Sequence, residues 1–90
     1  MMSLSVRFFA SLKEDVGQDA MEVEVASGMV VKDLLDRLAD DLGASAYAAL
    51  TAENVRIAVN HELLAAPGDL VATRLRAGDE IAFLPPVTGG

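Results

Sequence analysis

The chain has 90 residues, 52% of them hydrophobic, which is enough for one packed core and too few for two. Its 14 acidic and 7 basic side chains give a net charge of −7. That balance argues against a nucleic-acid binder or a protein of anionic membrane surfaces, because both need clustered Lys and Arg.

Cysteine is absent, which excludes disulfides, thiol nucleophiles and cysteine-ligated metal sites. A secreted domain of this size often carries disulfides, so we expect an intracellular, cytoplasmic protein. The N-terminal segment has no long apolar core and no typical cleavage site, so we expect neither a signal peptide nor a membrane span.

The first predicted strand covers residues 4–9 (LSVRFF). Its alternation places three apolar side chains on the core face: Leu4, Val6 and Phe8. The same alternation places Phe9 on the opposite face, where a polar residue is the usual choice.

A short helix is predicted over residues 10–16, and Gly17 is the residue expected to end it. Residues 21–25 (MEVEV) alternate again, with the glutamates outward. We therefore expect this second strand to pair antiparallel with the first.

The main helix is predicted over residues 30–42 (VVKDLLDRLADDL), with Gly43 as its C-terminal cap. Its start is poorly marked, because Val30 occupies the position where Ser, Thr or Asp is common. Five apolar residues form one stripe for the core: Val31, Leu34, Leu35, Leu38 and Leu42.

Residues 44–54 are rich in alanine and are predicted as a loop with one helical turn. A third strand is predicted over 55–59 (VRIAV), followed by a turn at 60–62 and a short strand near Leu63. The segment 65–73 contains Pro-Gly-Asp and is predicted as a loop.

Leu75 is expected to fill the core before a turn at residues 77–79. The last strand is predicted over 80–84 (EIAFL). Its alternation sends Phe83 into the core and Leu84 to the outer face.

The element order β-β-α-β-(β)-β predicts an α+β fold, because one amphipathic helix covers one face of a mixed sheet. This is the β-grasp, ubiquitin-like arrangement with four or five strands. We expect the domain to span residues 1–84 and residues 85–90 to form an extended, flexible C-terminal tail.

The chain shows no catalytic apparatus of its own. His61 is the single histidine and lies in a predicted turn, so no histidine pair can hold a metal and we expect no metal site. The glycines form no phosphate-binding motif. Whether the protein is itself an enzyme is therefore left open.

Phe9 and Leu84 are predicted on the outer face, and Leu63 is close to the same region in the predicted topology, so the three residues predict a partner-docking surface near the tail. The alternative is that some of these side chains lie beneath the loop at 65–74.

The tail begins with Pro85 and Pro86, which favour extended backbone and cannot continue a sheet ladder. It ends with Gly89 and Gly90, which lack side chains and can thread a narrow channel. We expect the terminal carboxylate to be the reacting group, made electrophilic as a mixed anhydride with AMP.

The segment 78–90 (GDEIAFLPPVTGG) resembles the C-terminus of the small, sulfur-carrying subunit of molybdopterin synthase, a ubiquitin-like sulfur-carrier family. Residues 6–10 (VRFFA) and 58–60 (AVN) also resemble that family. Three departures are the valine before the main helix, the Phe83-Leu84 pair where two phenylalanines are common, and a longer loop at 65–74.

The resemblance implies that Gly90 is adenylated by an ATP-dependent enzyme of the ubiquitin-activating type and then becomes a thiocarboxylate. A sulfur donor supplies the sulfur, and this chain binds no cofactor. The thiocarboxylate gives its sulfur to cyclic pyranopterin monophosphate, and two transfers build the dithiolene of molybdopterin.

The resemblance also implies that the tail enters the active site of a large subunit, in a heterotetramer of two small and two large subunits. The residues that would thread it are Pro85, Pro86, Val87, Thr88 and Gly89. The docking surface would be formed by Phe9, Leu63 and Leu84. Alternatives are a sulfur carrier for thiamin or cysteine synthesis, a ubiquitin-like modifier of lysines, and a plain interaction domain with an inert tail.

Overall fold

A computed structural model describes residues 2–52, 55–64 and 68–85 of the chain. The strands are β1 (Met2–Phe8), β2 (Ala20–Val25), β3 (Arg56–Val59), β4 (Glu62–Leu63) and β5 (Glu80–Leu84). The helices are α1 (Ser11–Val16), α2 (Val31–Leu42), α3 (Ala44–Leu50) and α4 (Asp69–Ala72). Among these described helices, none is long and apolar enough to cross a membrane.

The strands form one mixed sheet in the order β2-β1-β5-β3-β4. β1 and β5 are parallel neighbours, whereas the β1–β2, β3–β5 and β3–β4 pairs are antiparallel. β5 is thus the third of five strands, although it comes last in the described chain. This topology confirms the predicted β-grasp fold and the antiparallel pairing of the first two strands.

The core lies between the sheet and α2, and its alternating positions are those that the sequence predicts. Phe8 and Phe83 lie opposite each other on β1 and β5, with parallel-stacked rings whose centroids are 5.8 Å apart. Burying side chains of this size stabilises the fold by about 1.5–3 kcal/mol each. The buried stripe of α2 consists of Val31, Leu34, Leu35 and Leu38.

The N-terminus of α2 is stabilised by Asp33, which replaces part of the missing cap at Val30. The Val30 backbone N–H donates to Asp33 Oδ2 at 2.9 Å, which satisfies one donor. The Asp33 carboxylate also lies in the first turn, where the helix dipole favours negative charge. At the other end Gly43 has φ 90°, a value that suits glycine, and its N–H donates to Ala39 O at 3.1 Å.

Two predicted loops contain helices. Residues 44–50 form α3 rather than a single turn, because alanine is the best helix former and the buried Leu50 ties the helix to the core. The segment 65–73 contains α4, whose Leu70 packs against the core; residues 65–67 lie outside the described part of the chain. Single-sequence patterns miss such short helices, because their stability comes from tertiary packing.

Candidate functional site

The candidate site lies on the outer face of the sheet, opposite α2. Ile81 and Phe83 of β5 are completely buried in the core, so the intervening side chain of Ala82 and that of Leu84 face outward. Ala82 is 9% exposed and Leu84 is partly exposed. The alternation of residues 80–84 is therefore as the sequence predicts.

Strand register brings the predicted outer residues together in two adjoining rows. One row runs across four strands through Leu63, Ala58, Ala82 and Arg7. The next row contains Arg56 opposite Leu84, and Phe9 follows β1 on the same side. Directly paired residues share one face of a sheet. The structure therefore brings Phe9, Leu63 and Leu84 onto one face of the sheet. We call these three residues, together with Ala58 and Ala82, the outer apolar patch.

Phe9 and Leu63 are both open to solvent, with 41% and 58% of their surfaces exposed. Leu63 borders a shallow hollow that also contacts Asp69 and Thr73, so the described part of the 65–74 loop lies beside it without covering it. Large apolar side chains grouped on an exposed face are typical of interaction surfaces. The alternative that these two residues lie under the loop is wrong.

Phe9 is held outward by a tight turn between β1 and α1. The Phe9 N–H donates to Phe83 O at 3.2 Å, and its carbonyl accepts from Leu12 N–H at 3.1 Å. Within the turn from Phe9 to Leu12, Ala10 has φ 51° and ψ −127°, the conformation of the first central residue of a type II′ turn. That conformation normally requires glycine, so the turn that positions Phe9 is strained.

Leu63 is positioned by a two-residue hairpin turn between β3 and β4. Both turn residues, Asn60 and His61, have positive φ, at 51° and 72°, as a type I′ turn requires. The Asn60 side chain donates to Asp79 Oδ1 at 2.9 Å and accepts from the Glu80 N–H at 2.9 Å. These bonds anchor the hairpin to the start of β5 and fix the register that places Leu63 beside Ala58.

Two charged contacts on this face involve Glu80, and both are long. Glu80 Oε1 lies 3.7 Å from Arg7 Nη1, and Glu80 Oε2 lies 3.5 Å from His61 Nε2. The His61 side chain is 85% exposed, and the residue lies in a turn as the sequence predicts. No group of three or more acidic or histidine side chains within the described ranges is arranged to hold a metal ion.

Pro85 follows β5 directly and lies outside the sheet. The predicted tail residues Pro86, Val87, Thr88, Gly89 and Gly90 lie outside the described residues. Sequence reasoning missed the two arginines beside the patch, although the same alternation that singles out Phe9 and Leu84 also assigns Arg7 and Arg56 to this face.

A protein-family model described as the ThiS family matches residues 6–90. Two curated relatives are molybdopterin synthase sulfur carrier subunits. The Escherichia coli protein is 39% identical over 87 residues, and the Haemophilus influenzae protein is 35% identical over 89; each match covers 97% of this chain and 99% of the relative. A third relative, the small archaeal modifier protein 3 of Haloferax volcanii, is 33% identical over 94 residues, which cover 99% of this chain and all of that protein.

Solved structures share the fold over the whole chain. The small archaeal modifier protein 1 of Methanosarcina acetivorans has a TM-score of 0.77 at 27% identity, covering 100% of this chain and 98% of that one. In a complex of subunits 1 and 2 of the molybdopterin-converting factor from Helicobacter pylori, the matching chain has a TM-score of 0.67 at 26% identity. That match covers 99% of this chain and 100% of the other.

Proposed function

The chain belongs to the ThiS family, and from that premise we propose that it is the sulfur-carrier subunit of a molybdopterin synthase. The position of β5 carries this proposal. The strand that precedes the tail lies inside the sheet, and its outward Leu84 belongs to an exposed apolar patch. A partner that covers the patch is thereby placed beside the point where the chain leaves the sheet.

The reacting group in this proposal is the carboxylate of Gly90. A carboxylate oxygen attacks the α-phosphorus of ATP on an activating enzyme, and pyrophosphate leaves. A sulfide sulfur then attacks the acyl carbon and AMP leaves, which yields the thiocarboxylate. A carboxylate needs this conversion because it is a poor electrophile, whereas a mixed anhydride has a good leaving group.

The sulfur acceptor is cyclic pyranopterin monophosphate, held by a large subunit that supplies the catalytic side chains. The outer apolar patch docks on that subunit, and residues 85–89 lead Gly90 into its active site. Two glycines at the end of the tail leave the backbone without side chains, so a narrow channel admits it. Two sulfur transfers complete one dithiolene, and we propose a heterotetramer of two small and two large subunits.

The test is an intact-mass measurement after incubation with the cognate activating enzyme, ATP and a sulfide source. We expect a mass gain equal to the replacement of one oxygen by one sulfur. Deletion of Gly90 is the matched control, and it should abolish the gain while leaving the thermal unfolding transition unchanged. If the activating enzyme is active in the assay and the mass of the full chain still does not change, the proposal is refuted.

A second candidate is a ubiquitin-like modifier that is joined to lysine side chains through Gly90. The similarity to a small archaeal modifier protein favours it. Both candidates begin with adenylation, so the mass gain does not separate them. Sulfur transfer to the pterin in the presence of the large subunit supports the carrier, whereas isopeptide-linked adducts on other proteins support the modifier. A carrier for thiamin or cysteine synthesis would undergo thiocarboxylation without giving sulfur to the pterin.

A further inference from the structure

The outer face of the sheet has two ends of opposite character. At the end away from the tail, Glu22, Glu80 and Ser5 occupy one row, and Glu24 follows on β2. The two rows nearest the tail contain the outer apolar patch and two arginines, with no acidic residue from any of the five strands. In a chain with 14 acidic and 7 basic residues, the outward strand positions at the tail end are therefore basic, and the acidic residues Glu62 and Asp69 lie at the Leu63 edge around the shallow hollow.

The positive charges of the two arginines differ in whether an acidic group of the same chain lies close to them. Arg7 lies 3.7 Å from Glu80, so its charge is partly balanced within the chain. The Arg56 side chain forms no hydrogen bond or ion pair with any other described residue, and Arg56 is exposed. The charge of Arg56 is therefore available to an external group.

Arg56 lies so close to the outer apolar patch that a partner docking on the patch also contacts this residue. It lies directly opposite Leu84 in the antiparallel β3–β5 pair, where paired Cβ atoms are about 4.5–5.5 Å apart. A surface that covers Leu84 therefore also contacts the Arg56 side chain and brings the guanidinium to the interface, where it loses water. A desolvated arginine without a partner is costly, whereas a carboxylate pairs with it through two parallel hydrogen bonds.

We infer that Arg56 selects the docking partner by charge: the cognate large subunit presents an apolar pocket for Leu84 bordered by a carboxylate that pairs with Arg56. This inference rests on the proposed function and specifies the chemistry of its partner. A partner with a neutral or basic side chain at that place is rejected, because the arginine loses water without gaining a hydrogen-bond acceptor.

The experiment measures the dissociation constant between this chain and the large subunit from the same organism, at low and at physiological salt. Arg56→Glu should weaken binding at least about tenfold, because it places like charges together. Arg56→Gln should weaken it less, and Arg56→Lys should fall between Arg56→Gln and the unmodified protein, since lysine keeps the charge but loses the planar fork.

Lys32→Glu is the matched control, because it makes the same change in net charge on α2, on the opposite side of the sheet. A hydrogen bond from Lys32 to Asp36 at 2.9 Å, together with the charge of that carboxylate, raises the pKa of Lys32, so the residue is cationic at the pH of the assay. The control should bind within twofold of the unmodified protein. Urea unfolding of each variant checks that the fold is retained.

Binding of Arg56→Glu and Arg56→Gln within twofold of the unmodified protein would overturn the inference alone, provided that the unmodified protein binds. Equal weakening by Lys32→Glu would also overturn it, because net charge rather than Arg56 would then be responsible. Failure of the unmodified chain to bind the large subunit would overturn the proposed function, and this inference with it.

Discussion

The two faces of the sheet use the same kinds of side chain for different purposes. Phe8 and Phe9 are consecutive, yet the first is 2% exposed and the second 41%. Phe83 is completely buried, and its neighbour Leu84 is partly exposed on the other side. One face is closed by α2 and holds the fold together. The other remains open and carries the residues that we assign to docking.

Neighbouring residues of one strand therefore contribute to different quantities: those on the core face to the stability of the fold, and those on the outer face to binding of a partner. Replacing a residue on the core face removes packing contacts within the chain. Replacing its neighbour on the outer face removes contacts that form only when a partner is present. Adjacent substitutions on one strand therefore test the assignment of the two faces directly.

The largest effect is expected for Phe83→Ala, which should lower the free energy of unfolding by about 3–5 kcal/mol. Phe83 is fully buried and stacks on Phe8, so truncation leaves a cavity in the centre of the core. Because domains of this size are stable by about 5–15 kcal/mol, the variant should be close to unfolding at 37 °C. Urea denaturation followed by circular dichroism gives the value.

The neighbouring substitution Leu84→Ala is the control for that measurement, and it should lower the free energy of unfolding by less than about 1 kcal/mol. Similar losses for the two variants would show that both faces of β5 are core, and the distinction between the faces would fail.

A smaller effect, on binding rather than folding, is expected for Phe9→Ala. It should weaken the complex with the large subunit by about 2 kcal/mol, or roughly thirtyfold, because aromatic residues that become buried in an interface carry a large share of the binding energy. Isothermal titration calorimetry measures the change, and the melting temperature should stay nearly constant.

Val71→Ala provides the matched control, since Val71 is also an exposed apolar residue, at 63%, but lies on α4 rather than in the outer apolar patch. Comparable weakening by the two substitutions would mean that binding does not depend on this face.

The sequence predicts the sheet and α2 well, because alternation and helical periodicity record which face of each element is buried. The last strand predicted from the sequence, residues 80–84, has the same bounds as β5, and the outer positions of Phe9 and Leu84 follow from the same pattern. The residues of α3 are predicted as a loop with one helical turn and those of α4 as a loop, because seven and four residues are too short for a periodic signal and both helices depend on contacts with the core.

The composition of the docking face was only partly predictable. Its apolar residues stand out because they break an apolar–polar alternation. Arg56 is a polar residue at an outward position, as the alternation predicts, so the sequence alone does not identify it as a site residue. Its significance depends on strand register, which sets it opposite Leu84, and register cannot be read from one strand at a time.

The smallest effect is expected at Ala10, where the chain turns between the strand that carries Phe9 and α1. Its φ of 51° with ψ of −127° is unfavourable for any residue with a Cβ, and glycine adopts it without steric cost. We therefore expect Ala10→Gly to raise the free energy of unfolding by about 1 kcal/mol, which for a domain of this size raises the melting temperature by roughly 4–8 °C. The same exchange at the exposed Ala48 within α3 should have the opposite sign and cost about 0.5–1 kcal/mol, because glycine loses more backbone entropy in a helix. If Ala10→Gly lowers the melting temperature as Ala48→Gly does, the turn is not strained, and another feature must hold Phe9 on the outer face.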